Sequence, residues 1–261
     1  MAPSTIVFDL NETLLDLSAL DPTFQQLFGA AEVRKLWFRQ VLELFLTATV
    51  IDAYRPFKEL TDAALEMVAR QRGVQLADAD RERVRAAMRT LPLHPDVRPS
   101  LERLKAAGLT LATLTNSGEQ AARQHLEHNG VTDLFDAVLS VDAVERYKPA
   151  REAYEYAAKQ LGVKLRDIRL VAAHSWDVAG AMKAGCAAAF VARPEKVLDP
   201  TGTQPDIVGG DLADVADRIL ASVRCPHRPA RAGTPPPPRA RGAGSDAAWN
   251  FRAASRLAPA P

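Results

Sequence analysis

Asp9 closes the apolar run Thr5-Ile6-Val7-Phe8, and Thr13 follows it by four residues. Thr115 and Asn116 follow a second apolar run at 109–114, and Lys148 lies beyond a third at 137–141. His174 and Asp177 follow a fourth at 168–173. One acid after one strand is ordinarily a helix cap or a surface group. Four polar features after four strands are different, because the carboxyl ends of parallel strands open on one edge and bring such side chains together. The chemistry they suit is nucleophilic catalysis by a carboxylate: Asp9 attacks, an ester forms, and water cleaves it. A lysine at position 148 would hold the aspartate ionised, since a nearby opposite charge favours the charged form. Thr115, Asn116 and the start of the next helix offer donors for an anion. Ser117 and Gln120 have the spacing of a capping box, so Ser117 is expected to cap that helix.

The elements that must position these residues read from periodicity. Residues 5–10 form a buried strand. Leu36, Trp37, Val41, Leu44, Phe45 and Ala48 recur at helical steps, as do Phe57, Leu60, Ala64, Leu65 and Val68 before a stop at Gly73. A third helix begins at Asp78 or Asp80 and runs through Met88. Residues 17–93 are therefore expected to be a helical cap inserted directly after the first strand. Residues 1–16 and 94–223 make the core. Within it, helices are expected at 97–107, 119–128, 151–161, 178–184 and 212–223, and strands at 109–114, 137–141, 168–173 and 187–192. That alternation predicts an α/β fold, a Rossmann-like parallel sheet with helices on both faces.

Composition excludes several classes. Lys and Arg number 33 against 32 Asp and Glu in 261 residues, which argues against a nucleic-acid-binding stripe. The greasiest stretch, residues 41–51, is interrupted by Glu43, so no membrane partner is expected. Cys186 and Cys225 cannot cage a metal and suggest a reducing compartment. With no basic segment leading an apolar run at the start, the expectation is a soluble cytoplasmic protein. Residues 224–261 are rich in Pro, Ala and Arg, without period, and read as a disordered tail.

In order and separation, the four segments resemble the four motifs of haloacid dehalogenase-like hydrolases over about residues 5–223. The closer likeness is to the type II (S)-2-haloacid dehalogenases. It rests on Leu36-Trp37 with Leu42-Glu43-Leu44, on Arg146-Tyr147-Lys148-Pro149 with Tyr154, and on Ser175-Trp176-Asp177 leading into Gly180-Ala181. Superfamily phosphatases carry a second aspartate where this chain has Asn11, and an amide neither gives nor takes a proton usefully near neutrality. A halide leaving group needs no such acid. The resemblance thus implies a dehalogenase acting on a small 2-haloacid, without cofactor or metal, with a magnesium-dependent phosphatase or a non-catalytic binding protein as rivals. It implies Asp9 as nucleophile, with Thr13 and Lys148 holding its carboxylate. Asn11, Thr115 and Asn116 would bind substrate carboxylate or halide, and Tyr154 and Asp177 would orient the hydrolytic water and Lys148. A homodimer is compatible with the family.

Two departures bear on substrate preference, fluorinated acids included. The dehalogenase pattern has an arginine directly after the cap tryptophan; here that place is Phe38, and Arg39 comes one residue later. One step along a helix turns a side chain by about 100°. Where the pattern has Ser and Asn after the fourth strand, this chain has Ala172 and His174. His174 is suited to donating to the ester, to activating water, to steadying the halide, or simply to filling space as a hydrogen-bonded ring.

Overall fold

A computed structural model describes residues 2–224. The expected tail, with Cys225, lies outside the described residues apart from Arg224, which ends the last helix.

The first strand, β1 (Thr5–Phe8), is buried along its whole length. A strand covered on both faces needs no polar alternation, so it reads as an unbroken apolar run. Four helices follow: α1 (Asp21–Phe28), α2 (Val33–Val50), α3 (Phe57–Gln71) and α4 (Asp78–Arg89). Then come α5 (Val97–Ala106), β2 (Thr110–Thr115), α6 (Glu119–His128), β3 (Ala137–Ser140), α7 (Arg151–Leu161) and β4 (Ile168–Ala172). The chain closes with α8 (Ser175–Ala184), β5 (Ala187–Val191), β6 (Ile207–Gly209) and α9 (Leu212–Arg224). All neighbouring strands pair in parallel, in the order β3-β2-β1-β4-β5-β6. The chain winds outward from β1 in both directions, so the crevice where strand order reverses lies beside the carboxyl end of β1.

Periodicity located most of these elements to within a few residues. It missed α1, which is short and turns only Phe24 fully inward, and β6, a three-residue edge strand with too few residues to show alternation. Helix α8 begins three residues earlier than expected, at Ser175, so Asp177 sits in its first turn.

The insertion carrying α1 to α4 leaves and rejoins the core at one neck. Asp16 N–H donates to Pro92 O at 2.8 Å and His94 N–H donates to Leu14 O at 2.9 Å, so the outgoing and returning chains run side by side. Above the neck, Trp37 on α2 donates its indole N–H to Thr61 O on α3 at 3.0 Å. Phe45 and Tyr54 pack on Tyr147, which belongs to the segment after β3, at ring separations of 5.3 and 5.1 Å. The insertion is thereby held against the segment that delivers Lys148.

Candidate active site

Asp9 is the first residue past β1, and its N–H still donates to Val171 O at 3.1 Å. Each of its carboxylate oxygens is held. Thr13 Oγ1 donates to Oδ2 at 2.6 Å, and Lys148 Nζ donates to Oδ1 at 2.9 Å. The direction of the Thr13 proton is fixed because Thr13 Oγ1 itself accepts from Ala173 N–H at 2.9 Å. Lys148 also donates to Asp177 Oδ2 at 2.5 Å, and Tyr154 Oη donates to Asp177 Oδ1 at 2.7 Å. Lys148 and Asp177 are wholly buried. Removing one partner of such a pair would strand a charge in a low-dielectric interior.

The electrostatics follow from this packing. Burial alone would raise the Asp9 carboxyl, but the Lys148 charge and the His174 and Thr13 hydrogen bonds override it and hold it well below the usual carboxylate range. Burial, with repulsion from Asp9, leaves Asp177 above that range despite the Lys148 contact. Burial likewise opposes the charged form of Lys148, yet the two carboxylates keep its ammonium above the ordinary lysine value. Two acids sharing one ammonium are thus driven apart, Asp9 staying ionised and Asp177 being the more easily protonated.

His174, the N-cap residue of α8, lies against Asp9. Its Nδ1 is 3.2 Å from Asp9 Oδ2, and its Nε2 is 2.9 Å from Glu12 Oε2. The ring stacks on Trp176 at 5.0 Å, and the Phe38 ring lies 6.3 Å away. Glu12 also pairs with Lys196, on the loop after β5. Asn116 Oδ1 accepts from Lys148 N–H at 3.0 Å, so its amide secures the lysine backbone. Thr115 Oγ1 accepts from Ser117 N–H at 3.1 Å. Asn11 Nδ2 donates to Ser117 Oγ at 3.0 Å, while its buried Oδ1 has no hydrogen-bond partner among the described residues.

Nine of the ten residues singled out in the sequence therefore gather at one edge of the sheet: Asp9, Asn11, Thr13, Thr115, Asn116, Lys148, Tyr154, His174 and Asp177. Arg39 does not join the network around Asp9. It is exposed, on the wall of a 420 Å³ cleft that Glu12, Lys35, Phe38 and Lys196 also line. The expected capping role of Ser117 is not realised. Gly118 is the N-cap of α6 and there is no side-chain cap, because the Ser117 hydroxyl is turned to Asn11 instead.

Three contributors were not singled out. Glu12 and Lys196 complete the His174 contact. Arg193 donates to Thr13 O at 3.1 and 3.0 Å and grips the Asp96 carboxylate, bracing the loop that carries Asp9 to Thr13. The one sequence signal for Glu12 is its position between two residues already implicated. Lys196 and Arg193 lie in an aperiodic loop and gave none.

A divalent cation does not fit this donor set. All four oxygens of Asp9 and Asp177 already accept from an ammonium, a hydroxyl or the His174 ring. A magnesium ion would instead need carboxylate oxygens free to coordinate it.

A doubly covered parallel sheet, a carboxylate at the end of its central strand, and a lysine shared with a second acid define a hydrolase of a known kind. The chain belongs to the haloacid dehalogenase-like hydrolases, whose family model matches residues 3–185. It is 29% identical to (S)-2-haloacid dehalogenase H-109 of Pseudomonas putida, over 82% of this chain and 97% of that protein. It is 32% identical to the (S)-2-haloacid dehalogenase of Pseudomonas sp. strain YL, over 77% and 88%. Among solved structures it resembles the L-2-haloacid dehalogenase of Xanthobacter autotrophicus with chloropropionic acid covalently bound. That match has a TM-score of 0.78 and 25% identity, and covers 86% of this chain and 99% of the other.

Proposed function

We propose that this protein is a hydrolytic dehalogenase of short 2-haloalkanoic acids, working through an ester on Asp9. The observation that carries the reading is the setting of Asp9: a buried carboxylate held ionised by Lys148, Thr13 and His174, with an amide at position 11 where a phosphatase needs an acid. One Asp9 oxygen attacks the carbon bearing the halogen, the carbon–halogen bond breaks, and the halide leaves with its electron pair as that centre inverts. Water then adds to the Asp9 carboxyl carbon, one of its protons passing to Asp177. Collapse expels the 2-hydroxy acid and restores the carboxylate.

In this reading Thr115, Asn11 and the first turn of α6 receive the substrate carboxylate or halide, the unpartnered Asn11 Oδ1 supporting a ligand at that position. Turning the Asn11 amide over lets Ser117 Oγ–H donate to Oδ1 and places the NH2 group where the unpartnered oxygen lies, as a donor for an anion. Tyr154 keeps Asp177 in place. The α1–α4 insertion acts as a cap, moving about the 14–16 and 92–94 neck to exclude water until the ester has formed. The expected setting is the cytoplasm, and a homodimer is the expected assembly, to be read by light scattering.

The test is halide release from (S)-2-chloropropionate, chloroacetate and fluoroacetate with a chelator present, beside Asp9→Asn. Halide from the parent and at least about 10⁴-fold less from the variant is the expected result. Magnesium-dependent phosphate release from an aryl phosphate, with no halide, would reject the reading.

A further inference from the structure

Both ring nitrogens of His174 face carboxylates, Asp9 Oδ2 at 3.2 Å and Glu12 Oε2 at 2.9 Å. An ionised carboxylate only accepts hydrogen bonds, so satisfying both contacts requires a proton on each nitrogen. The ring's other neighbours, Phe38 on α2 and Trp176 on α8, are uncharged aromatic faces that favour a cation. Behind the two carboxylates stand Lys148 on Asp9 and Lys196 on Glu12. Glu12 reaches this place from a backbone φ of +60°, a left-handed conformation that disfavours a residue with a Cβ. A glycine would meet the backbone demand more easily, but it could not reach the ring.

Resting on the dehalogenase reading, we propose that Glu12 is a positioning residue for ester hydrolysis: it pins His174 with both nitrogens as donors, so that Nδ1–H stabilises the oxyanion formed on Asp9. When water adds to the ester carbon, the carbonyl electron pair moves onto oxygen. With Oδ1 carrying the ester, that oxygen is Oδ2, which His174 Nδ1 and Thr13 Oγ1 both face, while Lys148 stands on Oδ1. On collapse the pair returns to carbon, the bond to the alkoxide oxygen breaks, and that oxygen takes the proton held by Asp177. The second water proton leaves the Asp9 carboxyl to solvent, and His174 keeps its own proton throughout. The resting cluster balances three carboxylates, Asp9, Glu12 and Asp177, against the cations of Lys148, Lys196 and His174. Esterifying Asp9 removes one negative charge, leaving a net positive site for the substrate carboxylate and the departing halide. His174 thus supplies a positive charge close to Phe38, the position where the dehalogenase pattern has an arginine.

Three readouts test this. Nitrogen-15 NMR of histidine-labelled parent enzyme, assigned with His174→Gln, is expected to show both His174 nitrogens protonated at pH 7; a neutral ring there would overturn the proposal whether or not halide is released. In the steady state, Glu12→Gln is expected to move the alkaline limb of the kcat profile to lower pH by about one unit or more, with Glu12→Asp restoring most of the shift. His174→Gln is expected to lower kcat about 10²-fold while the Asp9 ester accumulates, seen by mass spectrometry of the peptide. An unmoved limb in Glu12→Gln, with the parent turning over normally, would reject Glu12 alone. No halide and no ester in the parent would reject the dehalogenase reading instead.

Discussion

Lys148 joins the two acids of the site, and its substitution separates charge from packing. With Lys148→Met, Asp9 and Asp177 lose their shared ammonium in a dry interior, and breaking such a pair costs about 3–5 kcal/mol. Urea denaturation is the measurement, and a loss under 1 kcal/mol would mean that water reaches these carboxylates. In the proposed reaction Asn11 suits a halide leaving group and would face the anionic substrate. Asn11→Asp is expected to raise KM for 2-chloropropionate by about tenfold, one repulsion of roughly 1.4 kcal/mol, without creating phosphatase activity. An unchanged KM would place the substrate carboxylate away from position 11. Asp9, Thr13, Lys148 and Asp177 were legible in the sequence because each sits at a fixed short distance after a strand. Glu12 was not, since its significance depends on a ring 162 residues away.

Helix α8 carries both His174 and Asp177 and must lie tight against the segment before α7. Gly180 makes this possible. A Cβ there would fall 2.7 Å from Tyr154 Oη and 2.9 Å from Pro149 O, too close for either to remain in place. Overpacking of this kind costs about 1–3 kcal/mol. Gly180→Ala should therefore lower the melting temperature, and by displacing Tyr154 it should also reduce kcat. A variant with parental stability and rate would show that the α7–α8 contact is slack. At this scale periodicity served well for long helices such as α3, whose buried face repeats from Phe57 to Val68. It failed where tertiary contacts define the element, as in β6, or in the loop from Arg193 to Lys196 that braces Thr13 and Glu12.

For the whole molecule the cluster links stability to pH. Burial would raise Glu12, but His174 and Lys196 bring it down to about 2. Its contribution is therefore present above the ordinary carboxylate value and is lost as pH falls toward 2. Burial would lower His174, but hydrogen bonds and charges from Asp9 and Glu12 raise it above the ordinary histidine value. That contribution is complete below about pH 6.5 and lost as pH rises through the shifted value. Urea midpoints should therefore decline at both ends of the range. His174→Gln should remove the alkaline decline, and its persistence would assign that decline to another group. Among the described residues no helix is long and apolar enough to cross a membrane.

In the proposed reaction, oxygen reaches the product through Asp9. Under single-turnover conditions in ¹⁸O-water, with enzyme in excess over (S)-2-chloropropionate, the lactate formed should carry unlabelled oxygen at C2. The label should appear in the Asp9 carboxylate, found by mass spectrometry of its peptide. Label in the lactate C2 hydroxyl after one turnover, with Asp9 unlabelled, would mean that water displaces the halide directly and that Asp9 is not the nucleophile.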